Sequence, residues 1–423
     1  MKYAYKIRLC IASVIFILAI LGIFGIFYPL KIFDIQFTPV VQKTFADFSI
    51  ITAVLFAGIV LLTLIFGRFY CSLICPFGIF QELAALIFRK KNKTQKNYPV
   101  KYFIAAVCFG VLAGGCAIVI RYLDSYTLFG SAMTLSLAGI VGAVIVLAIV
   151  FFKNRFFCSN ICPVGTILGL LSKYSLNKIY LPKDICVSCG KCATSCPTGS
   201  INPKEKTVDN ETCIKCLRCL DSCPRHGVQY GIEKKEPVKF SLKRRSLILA
   251  SSVVVIFGAA LKAGIEFKNK ISEKISEIIL PPGGISPERF LNKCLNCNLC
   301  AEHCPQKIIK KADNKFGAVY IDYSNSFCKY DCHECSRVCP SGAIKRITLE
   351  EKKKTRIAMA YINNESCTKC GICAIDCPTG AISKKDGEYT VLDASKCIGC
   401  GACKNACKFD AIEIFAVKEQ RVI

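Results

Sequence analysis

The chain has 423 residues, 53% of them hydrophobic, and a mean hydropathy of +0.42, which is too apolar for an ordinary soluble protein of this length. It carries 31 cysteines, 3 histidines, no tryptophan and a formal net charge of +26. A charge of that sign could serve nucleic acid, but the basic residues lie mostly in loops beside apolar runs and no nucleic-acid motif accompanies them. The charge therefore reads as membrane orientation, with lipid and not nucleic acid as the partner. The figure also counts every cysteine as neutral. Cysteines present as thiolates would lower it.

Four apolar runs are long enough to cross a bilayer, which takes about 20 residues: 7–28, 48–67, 102–120 and 132–152. Lys2, Lys6 and Arg8 precede the first. Arg68, Arg89, Lys90, Lys91, Lys93, Lys96 and Lys101 follow the second, and Lys153, Arg155, Lys173, Lys178 and Lys183 follow the fourth. The opposite loops are nearly balanced, with Lys31, Asp34, Lys43 and Asp47 in one and Arg121 and Asp124 in the other. The positive-inside rule places the N-terminus and both basic loops in the cytoplasm.

This region repeats. "GRFYCSLICPFG" at 67–78 returns as "NRFFCSNICPVG" at 154–165. Parallel repeats that pack about an axis along the membrane normal would bring Cys71, Cys75, Cys158 and Cys162 together. The C-x3-C spacing predicts both sulfurs of a copy on one helix face, and each following proline is suited to start a new helix. Three readings stay open: a site for an additional metal or cluster, a redox-active dithiol, or buried structural turns. Cys10, Cys108 and Cys116 lie within spans and read as small apolar fillers. His226, His303 and His333 all fall outside the spans, so a haem held by two histidines has no place among the helices.

The other 24 cysteines form six runs of four. Five follow C-x2-C-x2-C-x3-C, and in five of the six the last cysteine precedes proline, the signature of bacterial ferredoxins. In two-cluster ferredoxins the last cysteine of one run ligates the other cluster. The first module then uses Cys186, Cys189, Cys192 and Cys223 for one cube and Cys213, Cys216, Cys219 and Cys196 for the other. The second uses Cys294, Cys297, Cys300 and Cys339, then Cys328, Cys332, Cys335 and Cys304. The third uses Cys367, Cys370, Cys373 and Cys407, then Cys397, Cys400, Cys403 and Cys377. Zinc sites use cysteine pairs, and a disulfide framework would not keep one spacing through six runs, so six [4Fe-4S] clusters are expected. Cys328 and Cys332 are separated by one extra residue, and Cys407 precedes Lys408, which changes the turn and not the ligand set. Hairpin signals lie between paired runs, with Asp386-Gly387 as the turn of "AISKKDGEYTVLD" and a tighter version in "SINPKEKTVDN".

Between the first and second modules lie Lys234, Lys235, Lys239, Lys243, Arg244 and Arg245, then an uncharged run at 246–261. A fifth span here would put residues 271–423 outside. "KRRSLI" resembles a twin-arginine signal for export of folded proteins, departing at Lys243, where Ser or Thr is usual, and at Leu247, where Phe is common. The alternative is an interfacial helix that leaves all clusters in the cytoplasm. The expected architecture is a membrane α-helical bundle of four spans plus a fifth connecting span, with three α+β bacterial-type 2[4Fe-4S] ferredoxin modules. The boundaries are 1–178 for the helical domain, 179–232 for the first module, 233–270 for the basic segment and anchor, 271–289 for a linker, and 290–350 and 351–423 for the last two modules.

Residues 1–230 resemble the NapH-type membrane ferredoxins, through the four spans, "CSLICP", "CSNICP" and a two-cluster module. Residues 241–423 are similar to the NapG/MauM type, through the twin arginine, "LPPGGISPERF" at 280–290 and four cubes, so the chain looks like a fusion of the two. The NosR and CcoG types share the C-x3-C-P motifs. The resemblance implies quinol dehydrogenase activity or electron relay in the cytoplasmic membrane. Electrons would pass between quinone, or a cytoplasmic ferredoxin or dehydrogenase, and a periplasmic reductase or its electron-accepting subunit. Quinol oxidation also needs a proton acceptor, for which Glu82, Asp34, Asp47 and Asp124 are candidates. The rival readings are a maturation factor that handles a metal such as copper through the C-x3-C-P thiols, and an anchoring scaffold.

Overall fold

A computed structural model describes residues 3–24, 35–46, 50–88, 98–114, 117–232, 244–275, 278–310, 318–384 and 388–423. They form two compact units, one of residues 1–114 and 118–264, the other of 115–117 and 265–423.

The first unit is built on apolar helices at Ala4–Ile23, Ile50–Phe66, Pro76–Phe88, Val100–Ala113 and Leu137–Lys153. Their outward faces carry Ile7, Ile11, Val14 and Ile17, then Ile50, Ile51, Val54 and Leu61, then Val141, Val144, Ile145 and Phe152. Among the described residues one helix, Ala4–Ile23, is long and apolar enough to cross a bilayer. The pair Ser125–Met133 and Leu137–Lys153, bent by 118°, makes a second if it counts as one broken span. The fifth apolar run lies inside the 32-residue helix Arg244–Ile275. This helix crosses Val100–Ala113 at small residues. A Cβ on Gly110 would lie 2.8 Å from the Phe257 carbonyl, and one on Gly264 would lie 2.7 Å from that of Val111. Such close approach of two backbones is how helices associate where apolar burial offers no drive.

Two expectations about the helical domain fail. The segments assigned to loops opposite the cysteine motifs turn inward and meet them. Tyr70, next to Cys71, donates through Oη to Gln36 Oε1 (2.6 Å) and accepts from Phe37 N (3.1 Å). Thr38 Oγ1 donates to Asp124 Oδ1 (2.9 Å). Asp124 caps the Ser125–Met133 helix through Tyr126 N and Thr127 N. The fold-back after that helix is made by left-handed Leu135 and by Gly139, whose Cβ would strike the Ser131 carbonyl. A loop charge count cannot distinguish a surface loop from a short segment that re-enters and satisfies its polar groups inside. The two cysteines of each motif also fail to share one helix. Tyr70–Leu73 and Phe156–Asn160 are short, and the chain breaks before Cys75 and Cys162. New helices then start at the prolines, Pro76–Phe88 and Pro163–Lys173, as expected.

The first ferredoxin module packs on the same helices. Strand Asn177–Tyr180 pairs antiparallel with Gln229–Ile232, and Ile201–Asn202 with Thr207–Val208. Asn177 Nδ2 donates to the Ile65 carbonyl (3.1 Å) and Tyr230 Oη to that of Phe66 (3.1 Å), tying the outer sheet to the end of Ile50–Phe66. The Glu211 carboxylate, buried beneath, takes the Lys101 ammonium and the Tyr102 hydroxyl.

The second unit holds two modules of the same plan. Ile309–Lys310 pairs with Tyr320–Ile321, and Ile382–Ser383 with Val391–Leu392. The Asp386-Gly387 turn lies outside the described residues. Strands Thr355–Ile362 and Ile412–Val422 pair over most of their length, with a bulge between Ala416 and Arg421. Near its end Gln420 donates to the Leu280 and Pro281 carbonyls (3.0 and 3.1 Å) and accepts from Gly283 N (2.9 Å), closing the proline–glycine turn of the linker.

Candidate iron–sulfur centres

Five of the six cysteine runs make the same loop. In all five C-x2-C-x2-C runs the residues on both sides of the middle cysteine are left-handed: Ser188 and Gly190, Lys215 and Leu217, Asn296 and Asn298, Lys369 and Gly371, Gly399 and Gly401. Left-handed backbone costs an L-residue about 1–2 kcal/mol. It also curls successive N–H groups into the concave nests that bind anions and iron–sulfur sites. Past the fourth cysteine the third residue is left-handed in every run: Gly199, His226, Lys307, Gly342, Gly380 and Asp410. The last run keeps this feature at Asp410 although Lys408 replaces proline, so its turn changes less than its sequence suggests.

The loops bring together the thiols that cross-ligation requires. One small hollow is lined by Cys367, Cys370, Cys373 and Cys407, and another by Cys377, Cys397, Cys400 and Cys403. Cys304, Cys328, Cys332 and Cys335 line a third. Elsewhere the thiols within electrostatic reach give the same grouping. Cys192 faces Cys186 and Cys223; Cys219 faces Cys216, Cys213 and Cys196 first and Cys192 of the neighbouring set more weakly; Cys300 faces Cys297, Cys294 and Cys339 first and Cys335 of the neighbouring set more weakly. Among the described residues no three His, Cys, Asp or Glu groups are drawn close enough to hold a single ion. Four thiols converging on one hollow, three of them from a single short run, are the donor set of a [4Fe-4S] cube.

The sites stand in series within each unit. In the second unit Cys328 N donates to the Cys400 carbonyl (2.8 Å), so the Cys328 set adjoins the Cys397 set. The buried Lys352 ammonium seals this joint by donating to the Lys329 and Tyr330 carbonyls. Of the twenty-four cysteines only Cys189 and Cys370 are exposed, one in each unit.

The C-x3-C-P cysteines form a different centre. Cys71, Cys75, Cys158 and Cys162 are 3–6% exposed, so solvent is shut out. Cys75 lies within electrostatic reach of Cys158 and Cys71, and Cys162 of the same two. The Ser125 hydroxyl lies 3.4 Å from Cys75 Sγ and 3.9 Å from Cys162 Sγ, joining the two repeats. Cys158 Sγ donates to Gln81 Oε1 (3.4 Å), and Gly165 N donates to Cys162 Sγ (3.4 Å). Burial, helped by the neighbouring Cys158 and Cys71, pushes the Cys75 thiol up to about 12.

The repeats are cross-linked reciprocally. Arg68 Nη2 donates to the Cys158 carbonyl (2.8 Å), and its counterpart Arg155 donates through Nη1 to the Cys71 carbonyl (2.9 Å). Gly78 and Gly165 leave room for this: a Cβ there would lie 2.4 Å from the Cys71 oxygen and 2.2 Å from the Cys158 oxygen. From sequence these two arginines counted only as loop charges, although each stands three residues before the first cysteine of its copy. Glu82, a candidate proton acceptor, is clamped between Arg8 Nη1 (2.8 Å) and Arg155 Nη2 (2.8 Å). Asp124 stays close to the thiols, while Asp34 and Asp47 lie outside the described residues.

Comparison with known proteins agrees with the cysteine geometry. A family described as a 4Fe-4S binding domain matches residues 48–95 and again 135–182, each containing one C-x3-C-P motif. Families described as 4Fe-4S dicluster domains match 178–224, 209–308, 293–343 with 327–381, and 366–412. The methylamine utilization ferredoxin-type protein MauM of Methylophilus methylotrophus is 30% identical over 178 residues, covering 37% of this chain and 76% of that protein. MauN of Paracoccus denitrificans is 26% identical over 169 residues, covering 37% of this chain and 58% of its own length. The ferredoxin-type protein NapG of Escherichia coli is 25% identical over 151 residues, covering 30% and 64%.

Proposed function

This chain belongs to the MauM family of ferredoxin-type iron–sulfur electron-transfer proteins, and from that premise we propose that it is a membrane-bound relay between the quinone pool and an extracytoplasmic reductase. The twenty-four cysteines assigned above hold six [4Fe-4S] clusters, and the four C-x3-C-P thiols hold a further metal centre or cluster. The observation that carries this reading is the serial order of thiol sets in each unit, ending at one exposed cysteine, Cys189 or Cys370. An exposed ligand at the end of a series is where an electron can leave to a partner. The outward apolar faces of the helices support embedding in lipid, because rows of exposed apolar side chains are unfavourable in water. The N-terminus then lies inside and residues 271–423 outside. The resident clusters supply one-electron steps. The chain's own residues position them, shut out water and present the exits.

A metal-handling role fits less well with the burial of all four C-x3-C-P thiols, which favours a resident centre over a cargo. A scaffold with inert clusters predicts no electron uptake. Anaerobically purified protein treated with a menaquinol analogue and examined by electron paramagnetic resonance should show reduced clusters. Clusters that accept electrons from dithionite but not from quinol would remove the quinone pool as donor and leave a cytoplasmic ferredoxin in its place.

A further inference from the structure

Arg68 and Arg155 connect the four-thiol centre to the first ferredoxin module. Both are buried, at 1% and 0% exposed. Arg68 lies 3.8 Å from Cys71 Sγ through Nη2, while its Nη1 donates to the Glu211 carbonyl (3.0 Å), two residues before Cys213. Arg155 reaches the Cys71 carbonyl with its side chain, and its backbone N–H donates to the Pro197 carbonyl (3.3 Å), next to Cys196. Each arginine therefore runs from a thiol loop to a loop carrying a ligand of one cluster site, Cys213, Cys216, Cys219 and Cys196. Cys216 of that site lies within electrostatic reach of Arg155 and Glu82.

The charges around the thiols do not balance without an occupant. Among the described residues Arg8, Arg68 and Arg155 are buried here, against the carboxylates of Glu82 and Asp124. Lys101 and Glu211 neutralise one another. The bonds of Arg68 go to carbonyl oxygens and sulfur, and among the described residues it meets no carboxylate. A buried positive charge left over in this way is strongly unfavourable unless something negative faces it. A cube held by four thiolates carries roughly −2.

Resting on the relay reading above, we propose that Arg68 and Arg155 are the counter-charges of a dianionic iron–sulfur centre on Cys71, Cys75, Cys158 and Cys162. They also join it electrostatically to the Cys213 cluster as one redox unit. They are positioning residues. They hold the two thiol loops together across the repeat and raise the reduction potential of both centres by favouring the added electron.

The test uses anaerobically purified full-length protein, dithionite as reductant, iron analysis and a redox titration of the Cys213 cluster signal. Removing the occupant with Cys75→Ser and Cys162→Ser together should lower iron by about four per chain. It should also shift that midpoint positive, because a neighbouring negative charge is gone. Arg68→Met should shift it negative, by about tenfold in the reduction equilibrium or ~59 mV for one electron. Arg68→Lys, which keeps the charge, should restore most of it. If Arg68→Met does not fold, Arg68→Gln, which removes the charge but keeps a polar side chain, carries the sign test with the double serine variant. Unchanged iron in the double serine variant, or midpoint shifts of the same sign for removing the thiols and removing the arginine, would overturn the proposal. Because dithionite replaces quinol, this outcome is independent of whether quinol is the donor.

Discussion

The chain holds two kinds of four-thiol centre, and they are built by opposite means. In the ferredoxin modules three ligands come from one short loop whose left-handed residues recur in five runs, and only the fourth crosses to a neighbouring loop. In the helical domain each of two segments, 87 positions apart, supplies a pair of ligands, and crossed arginines, a shared serine hydroxyl and two glycines join them. The first kind depends on the metal for much of its folding energy, since its core is small. The second is a product of helix packing, its thiol loops held by arginine–carbonyl bonds and its sulfurs met by hydroxyl and amide groups of the protein.

The largest effect should therefore come from breaking a module ligand. Cys397→Ser should remove about four irons and expose the third module to limited proteolysis, because Cys397 lies in that module's core with Cys373, Cys403 and Ile412. Cys71→Ser should leave the signals of the modules in place. Equal proteolytic damage in both variants would erase the contrast.

Next in size is the junction of the two regions at Glu211. Burial works against its charged form, but the bonds from Lys101 and Tyr102 overcome this and hold the carboxyl below the usual range. A depressed carboxylate stabilises the fold above its unfolded value and loses that contribution as pH falls through the folded one. Docking of the first module should thus weaken below about pH 4. Glu211→Gln should abolish that acid step in a thermal unfolding series. It should also cost about 3–5 kcal/mol at neutral pH, because Lys101 is left buried without its partner.

A third variant acts on the crossing of the repeats. In Gly165→Ala the new methyl would meet the Cys158 backbone carbonyl, which has little freedom to move. A cost of about 1–3 kcal/mol is expected, with loss of the four-thiol centre and normal iron in the modules.

The same contrast explains what could be read from the sequence. Spacing suggests every module set, including the crossed fourth ligand, because the code is local and repeated. Leu217 and Lys215 gave no warning of their left-handed backbone, since neither residue type favours it; the loop imposes it. The repeat pointed to Cys71, Cys75, Cys158 and Cys162 as neighbours. It did not reveal Ser125, Thr38 or Gln36, which reach the centre on segments whose return is set by tertiary packing. Charge counting put those segments on the far side, because it weighs lysines and arginines and not buried hydroxyls and amides.

The smallest effect separates the module clusters from one another. Two residues past the fourth cysteine, Thr198, Ser341 and Thr379 place hydroxyls 3.5, 3.7 and 3.6 Å from Cys196, Cys339 and Cys377 Sγ. Arg225, Gln306 and Phe409 stand at the same place in the other runs, without a hydroxyl. Hydrogen bonds to cluster sulfur stabilise the more negative, reduced state and so raise the potential. By cross-ligation the Thr379 hydroxyl acts on the Cys397 cluster and not on the Cys367 cluster of its own run. Thr379→Val should lower the midpoint of the Cys397 cluster alone in a titration followed by paramagnetic resonance. A shift in the Cys367 cluster instead would mean that Cys377 ligates within its own run, and the crossed assignment of all three modules would fall with it.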